Sequence, residues 1–483
     1  MATHLNDSRD FRRNANIGLA DANLQKALAG MEDTFVAGRA RAAEALPEFD
    51  ALRDAAKAIK DHALANLDFY LERFATNVEK AGGMVHWCND AESARAVVLD
   101  LCRQAGAKTV TKGKTMIGEE IAINDHLAKH GIEPVETDLG EYIIQLRHET
   151  PSHLIAPAIH LTVEQVGETF LKAHTDLDPR RPMSEPADML TEARAKLRRR
   201  FLEADVGITG ANFLIAETGS SVIVTNEGNG DLTQTLPRMH IVLASIEKIV
   251  PTLDDASTIL RVLARSATGQ EMSVYTTFST GPRRPDDLDG PAAYHVVLID
   301  NGRTKLLGTE FEAMLRCIRC GACLDHCPVY QKVGGHAYGF VYSGPMSAVL
   351  TPGLLGIEKA TPLPNASTFC GRCESVCPMR IPLPKMMRFW REKEFERHLT
   401  PARYRAGLRL WAFMARRPAL FRLANGLAAG MLGRLGRRRG GFTSLPLARG
   451  WTDHRDMPAP EGRSFHALWA ERQRTAARRA AGK

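Results

Sequence analysis

The sequence predicts four parts in order. A helical N-terminal segment precedes an α/β domain built on a largely parallel, helix-covered sheet. A helical, cysteine-bearing domain and an Arg-rich helical tail follow. Three observations carry this reading. Short apolar strands alternate with helical stretches between residues 83 and 310, the pattern of βαβ units. Seven of the nine cysteines fall within residues 317–377, among many Gly and Pro. The last 96 residues hold 20 arginines. The parts divide at 1–82, 83–310, 311–395 and 396–483. For 483 residues, two to four domains is the ordinary expectation at roughly 150 residues each.

Each element has its own signal. Residues 20–81 read as helical, because Ile59, Ala63, Leu67, Leu71, Phe74 and Val78 recur at three- and four-residue steps. Gly82-Gly83 stops that run. Met84–Trp87 reads as a strand, Ala91–Gln104 as a helix, Lys108–Thr111 as a strand, Gly118–His130 as a helix and Ile132–Val135 as a strand. Phe213–Ala216, Val222–Thr225, Ile241–Ala244, Ser273–Phe278 and His295–Ile299 add five more strands. Gly219-Ser220-Ser221 suggests a tight reversal between the first two of these. Arg283–Asp289 is Pro-rich and charged, as an exposed loop is. The tail is interrupted at Pro401, Pro418, Pro446 and Pro458.

The net charge of +7 conceals a division. Residues 388–483 hold 22 Lys+Arg against 7 Asp+Glu, a charge of +15, which leaves −8 for residues 1–387. An acidic body argues against a nucleic-acid-binding body, and the tail suits an anionic partner. Met1–Asp50 carries no apolar signal core, and no apolar h-region follows Arg12-Arg13 as a twin-arginine leader requires. No apolar run reaches the roughly 18 residues of a spanning helix. A cytoplasmic, reducing compartment is the expectation, and there clustered thiols read as metal ligands before disulfides.

The first cysteine run is Cys317-x2-Cys320-x2-Cys323-x3-Cys327-Pro328, the spacing of bacterial ferredoxins, in which the fourth Cys serves the other cluster. The second is Cys370-x2-Cys373-x3-Cys377-Pro378, which lacks its first position, occupied by Ser367. The crossover gives one 4Fe–4S cluster on Cys317, Cys320, Cys323 and Cys377. A second falls on Cys327, Cys370 and Cys373. Its fourth corner is open to Ser367, another side chain or water, or is absent, as in a 3Fe–4S cluster. Structural zinc is the competing reading, but seven ligands divide poorly into four-coordinate sites. Cys88 and Cys102 sit among apolar residues and read as core.

Two stretches of the α/β domain suggest a ligand. Lys112–Glu120 lies at a strand-to-helix junction, where Lys and Gly suit an anion, although the plainer reading is a helix start with Glu119 and Glu120 favouring its dipole. Gly210–Leu236 is rich in polar and Gly residues after strand ends, where open α/β sheets place ligands. Glu217 within it is a candidate carboxylate nucleophile or ligand contact, and equally a solvated turn residue. No G-x-G-x-x-G, G-x-S-x-G or H-E-x-x-H occurs, so the chain shows no dinucleotide or hydrolase signature of its own. Clusters without an organic redox cofactor suit a relay between other carriers.

The run Gly207–Phe213, with Glu217-Thr218-Gly219-Ser220, Asn226-Glu227-Gly228-Asn229 and Pro237-Arg238-Met239-His240, resembles the LUD domain. Followed by the ferredoxin-like segment and the Arg-rich tail, over about residues 20–480, it is similar to the lactate utilization protein B family. The resemblance implies a NagB/RpiA/CoA-transferase-like α/β fold and a helical ferredoxin-like domain with seven cluster cysteines. It implies an electron-transfer component of a bacterial L-lactate dehydrogenase complex, taking lactate to pyruvate, rather than a stand-alone enzyme. Its partners would be a Cys-rich protein and a second LUD-domain protein. The competing expectation is a ligand-binding or acyl-transfer enzyme using Glu217, with redox-sensing clusters. Residues 396–483 would dock on an acidic partner or at the inner face of the membrane, or present a solvated basic face.

Overall fold

The computed structural model describes residues 7–445, 448–452 and 455–482. The chain divides into two compact units after Glu394. The first unit holds ten strands: β1 (Met84–Cys88), β2 (Thr109–Gly113), β3 (Glu133–Glu136), β4 (Val206–Gly210), β5 (Phe213–Ile215), β6 (Ser220–Thr225), β7 (Met239–Ser245), β8 (Ile249–Val250), β9 (Tyr275–Ser279) and β10 (Ala293–Ile299).

Six strands form a wholly parallel sheet in the order β1-β10-β7-β4-β2-β3. Its central strands are buried, with Val206, Ile208, Ile241, Leu243, Val297 and Ile299 in one apolar core and Val242, Ala244, Val296 and Leu298 in another. Helices cover both faces, as a parallel sheet requires. A second sheet of order β8-β5-β6-β9 stands beside it. Its β5–β6 pair is antiparallel and turns through Gly219 at φ +71°, the reversal expected there.

Two departures from the sequence reading bear on the site. Strand β4 lies within the six-stranded sheet, yet two glycines hide it from a propensity argument. Both are sterically required: a Cβ on Gly207 would lie 1.8 Å from the Thr233 carbonyl oxygen, and one on Gly210 would lie 2.4 Å from that of Lys114. The helix expected over 118–130 is two, Met116–Glu120 and Ile123–Lys129, separated by Ala122 in the left-handed region at φ +51°. A continuous helix would turn Ile121 and Ile123 about 200° apart; the break buries both completely.

The N-terminal helices Phe49–Ala65 and Leu67–Lys80 present Ala63, Leu67, Leu71, Phe74 and Val78 to the sheet. Cys88 and Cys102 are buried in the apolar core, where burial pushes the Cys102 thiol up to about 12. The second unit holds helices Ala402–Ala415, Pro418–Gly436 and Phe465–Ala481. Pro401 caps the first and Pro418 opens the second. Pro446 lies outside the described residues. Among the described residues, no helix is long and apolar enough to cross a membrane.

Candidate iron–sulfur centre and adjoining cavity

The two cysteine runs share a backbone. In the first, Arg319 and Gly321 adopt left-handed φ of +60° and +79° on either side of Cys320, and the short helix Ala322–Asp325 carries Cys323. In the second, Phe369 and Gly371 adopt +55° and +82° on either side of Cys370, and Arg372–Ser375 carries Cys373. Non-glycine residues pay for that conformation, so its repetition marks a loop shape that is held rather than incidental.

Cys317, Cys320, Cys323 and Cys377 line one cavity with Leu154, Met314, Ile318, Met346 and Leu383. The thiols of Cys320, Cys323 and Cys377 are pushed up by burial and by one another. Backbone N–H groups of Ala322, and of Met379 and Ile381, donate to Cys320 and Cys377. Crowded, buried thiols supplied with N–H donors fit a group that withdraws their negative charge, as iron does. Among the described residues, no three cysteine sulfurs lie within 4.8 Å of one another. Four thiolates on one zinc, at Zn–S of about 2.3 Å, would all lie within about 4 Å. The donor set is too open for a single ion and suits a cluster.

Cys327, Cys370 and Cys373 gather separately. Burial pushes Cys373 up to about 12, with Cys327 and Cys370 adding to the effect. Cys370 is exposed. Burial works against its thiolate but is outweighed by the Arg372 N–H and the Thr368 hydroxyl, which hold it below the ordinary thiol range. The Ser367 hydroxyl accepts the Phe369 N–H at 3.1 Å, so it braces the loop.

Cations surround the first group. Arg53 donates to the Cys377 carbonyl at 2.8 Å and to that of Ser375 at 2.6 Å, and Arg39 to that of Val376 at 2.8 Å. Lys60 donates to the Ile249 carbonyl at 3.0 Å, and burial, partly offset by Glu247, lowers it to about 7. A buried ionic chain runs from the α/β domain to the cysteine loop. Tyr342 donates to Glu120 at 2.6 Å, Arg303 bridges Glu120 at 2.7 Å and Glu247 at 3.0 Å, and Arg319 reaches Glu247 at 3.2 Å. His153 meets Asp325 at 3.1 Å, and a Cβ on Gly321 would press against its ring at 3.1 Å.

A cavity of about 190 Å³ opens at the C-terminal ends of β2, β4 and β7. Both ligand-suggesting stretches reach it, through Lys114, Thr115, Gly210, Asn212, Thr225 and Asn226. Cys320 and Arg319 line it from the other side. Lys112 is buried and occupied by Glu119 at 2.5 Å and Glu136 at 2.7 Å, so Glu119, in the first turn of helix Met116–Glu120, also serves an ion pair. Glu217 is not among the lining residues: it is exposed and accepts the Leu253 N–H at 3.0 Å at the start of helix Leu253–Ala267. Apart from these, Glu149, His160 and His336 form a compact donor group, with Glu149 to His160 at 2.7 Å and His336 to the Thr150 carbonyl at 2.7 Å. Sequence reasoning missed Lys248, Tyr342, His153 and the Arg303 chain, because scattered positions carry no spacing to read.

Fold and site together define a LUD-domain protein joined to an iron–sulfur dicluster domain. The LUD domain model matches residues 71–299, the 4Fe-4S dicluster domain residues 313–381, and the lactate utilisation protein B C-terminal domain residues 386–474. Lactate utilization protein B of Bacillus subtilis is 39% identical over 469 residues, covering 96% of each chain. That of Oceanobacillus iheyensis is 40% identical over 463 residues, again 96% of each, and that of Bacillus licheniformis 39% over 470 residues, 97% of this chain and 98% of the relative. The chain belongs to the lactate utilization protein B family, and it carries an iron–sulfur cofactor. A crystal structure of a DUF162 family protein from Deinococcus radiodurans covers 48% of this chain and 98% of its own at 14% identity and a TM-score of 0.26, too weak a likeness to bear on the fold.

Proposed function

We propose that this chain relays single electrons through two iron–sulfur clusters, the first of them 4Fe–4S, as the iron–sulfur component of a bacterial L-lactate oxidation system. Cys317, Cys320, Cys323 and Cys377 hold the first. Cys327, Cys370 and Cys373 hold the second, which has either a fourth ligand other than cysteine or three irons. Clusters of this type supply one-electron storage. The chain's own residues do the rest. Arg39, Arg53, Lys60 and Arg319 offset the negative charge that four thiolates concentrate in a buried site. Leu154, Met314, Ile318 and Met346 exclude water from it. The carrying observation is the repeated left-handed loop, once closed around buried Cys320 and once open to solvent at Cys370. That contrast supports an inner and an outer redox station, with exchange at the outer one. The six-stranded parallel sheet supports a NagB/RpiA/CoA-transferase-like α/β domain over 83–310, between a helical segment at 1–82 and the cluster domain at 311–395. A Cys-rich protein and a second LUD-domain protein, in the cytoplasm, are the proposed electron partners. The tail at 396–483 is proposed to dock on an acidic partner or the inner membrane face.

Anaerobically purified protein is expected to contain about seven to eight irons and to bleach with dithionite. Cys317→Ser and Cys377→Ser should then disturb one EPR signal, and Cys373→Ser the other. Stoichiometric zinc without iron refutes the relay, and loss of different signals in the first two variants refutes the crossover.

A further inference from the structure

The cavity at the C-terminal edge of the parallel sheet is not used by the relay, and its polar lining is incomplete in one specific way. Lys114 is occupied by Asp138 and by Glu227 at 3.4 Å. Lys248 also lines the cavity, and among the described residues its ammonium has no hydrogen bond or ion pair. Arg319 is nine-tenths buried, with one edge on Glu247, while its Nη1 is buried without a partner. The buried Thr225 hydroxyl, on the same lining, is also unpartnered. A buried guanidinium nitrogen, a buried hydroxyl and the half-buried Lys248 ammonium therefore border one small space, and the first two cost free energy until a partner meets them. Leu154, Leu243, Leu263 and Ala267 supply an apolar wall.

We propose that this cavity binds a short monocarboxylate of the 2-hydroxy or 2-oxo acid class, its carboxylate on Lys248 and Arg319 and its alkyl end on the apolar wall. The volume of about 190 Å³ is smaller than the roughly 300–1,000 Å³ of sites for drug-sized ligands, so a nucleotide or a CoA ester does not fit inside it. The position is the one where open α/β sheets bind ligands, outside the carboxyl ends of the strands. Cys320 lines both this cavity and the cysteine nest, so the bound acid lies beside the inner redox station. The choice of acid class rests on the electron-transfer reading; the existence of an anion site does not.

Full-length, anaerobically purified protein with its iron assayed is titrated calorimetrically with L-lactate, pyruvate, acetate and inorganic phosphate. Saturable one-to-one binding of lactate or pyruvate is expected, with phosphate weaker. Lys248→Met should weaken it by roughly tenfold or more, the loss of one charge-assisted contact, and Thr225→Val by less. The ligand should shift the EPR signal lost in Cys317→Ser and leave the other unchanged. No binding by an iron-replete sample overturns the proposal, as does binding that folded Lys248→Met and Thr225→Val leave unaltered, or phosphate binding as tight as that of the acids. Should Lys248→Met not fold, Thr225→Val and the selective EPR shift decide. The iron content of the same samples reports the relay separately, so the two readings fail independently.

Discussion

At the scale of single residues, the most constrained side chain is Arg303, fully buried between two carboxylates. Burial alone would push Glu247 up, but Arg303 and Arg319 hold it down at about 2. Arg303→Met would leave Glu120 as a buried charge without a counter-ion and Glu247 with Arg319 alone, a cost of about 3–5 kcal/mol. A large drop in denaturation midpoint is expected, and an unchanged midpoint would show that the chain of charges is not structural. His240 has the opposite role. Its ring shares a hydrogen bond of 2.8 Å with Thr209, and burial lowers it from 6.5 to about 3. Between those values the unfolded chain takes up a proton that the folded one refuses. Stability contributed above pH 6.5 is therefore lost as pH falls toward 3, by up to about 1.4 kcal/mol per unit. His240→Gln should flatten that part of the acid limb in urea titrations at stepped pH. The seven closely spaced cysteines were legible as ligand candidates because thiol spacing is a local code. Arg303 and Lys248 were not, because their meaning lies in what the fold brings to them.

At the scale of elements, glycine separates what sequence can tell from what it cannot. β1, β10 and helix Ala91–Gln104 were readable from their apolar periodicity, but β4 was not, since Gly207 and Gly210 lower its apparent strand preference. Gly207→Ala should cost at least about 2 kcal/mol, because its Cβ would overlap the Thr233 carbonyl. Gly407 lies exposed within helix Ala402–Ala415 with nothing within 4 Å of a Cβ. Gly407→Ala should instead strengthen that helix by about 0.5–1 kcal/mol. Circular dichroism melts of the two variants test both signs. The cavity was half legible: two of its edges come from polar loops after strands, while Arg319 belongs to the cysteine run and answers to a different pattern.

For the whole molecule, the charge division and the structural division nearly coincide. The body is acidic and the tail basic, and the compact units part after Glu394. A chain ending at Glu394 is expected to keep its iron and its dithionite-bleachable absorbance. It should also lose any salt-sensitive pelleting with anionic liposomes that the full chain shows. Loss of iron on truncation would show that the two units are not independent. The tail helices leave Leu410, Trp411, Leu427 and Leu435 exposed beside their arginines, which is why composition alone could not choose between a protein and a lipid surface.

The contact of Arg53 with the Cys377 carbonyl joins positions 324 residues apart. On the ribosome, at about 5–20 residues per second, the helix bearing Arg53 waits on the order of 15–60 s before that carbonyl has been synthesised. Until then Arg53 has Asp50, three residues before it on the same helix, as its acceptor. The nest formed by Cys317, Cys320, Cys323 and Cys377 is therefore complete only once the chain has passed its second cysteine run.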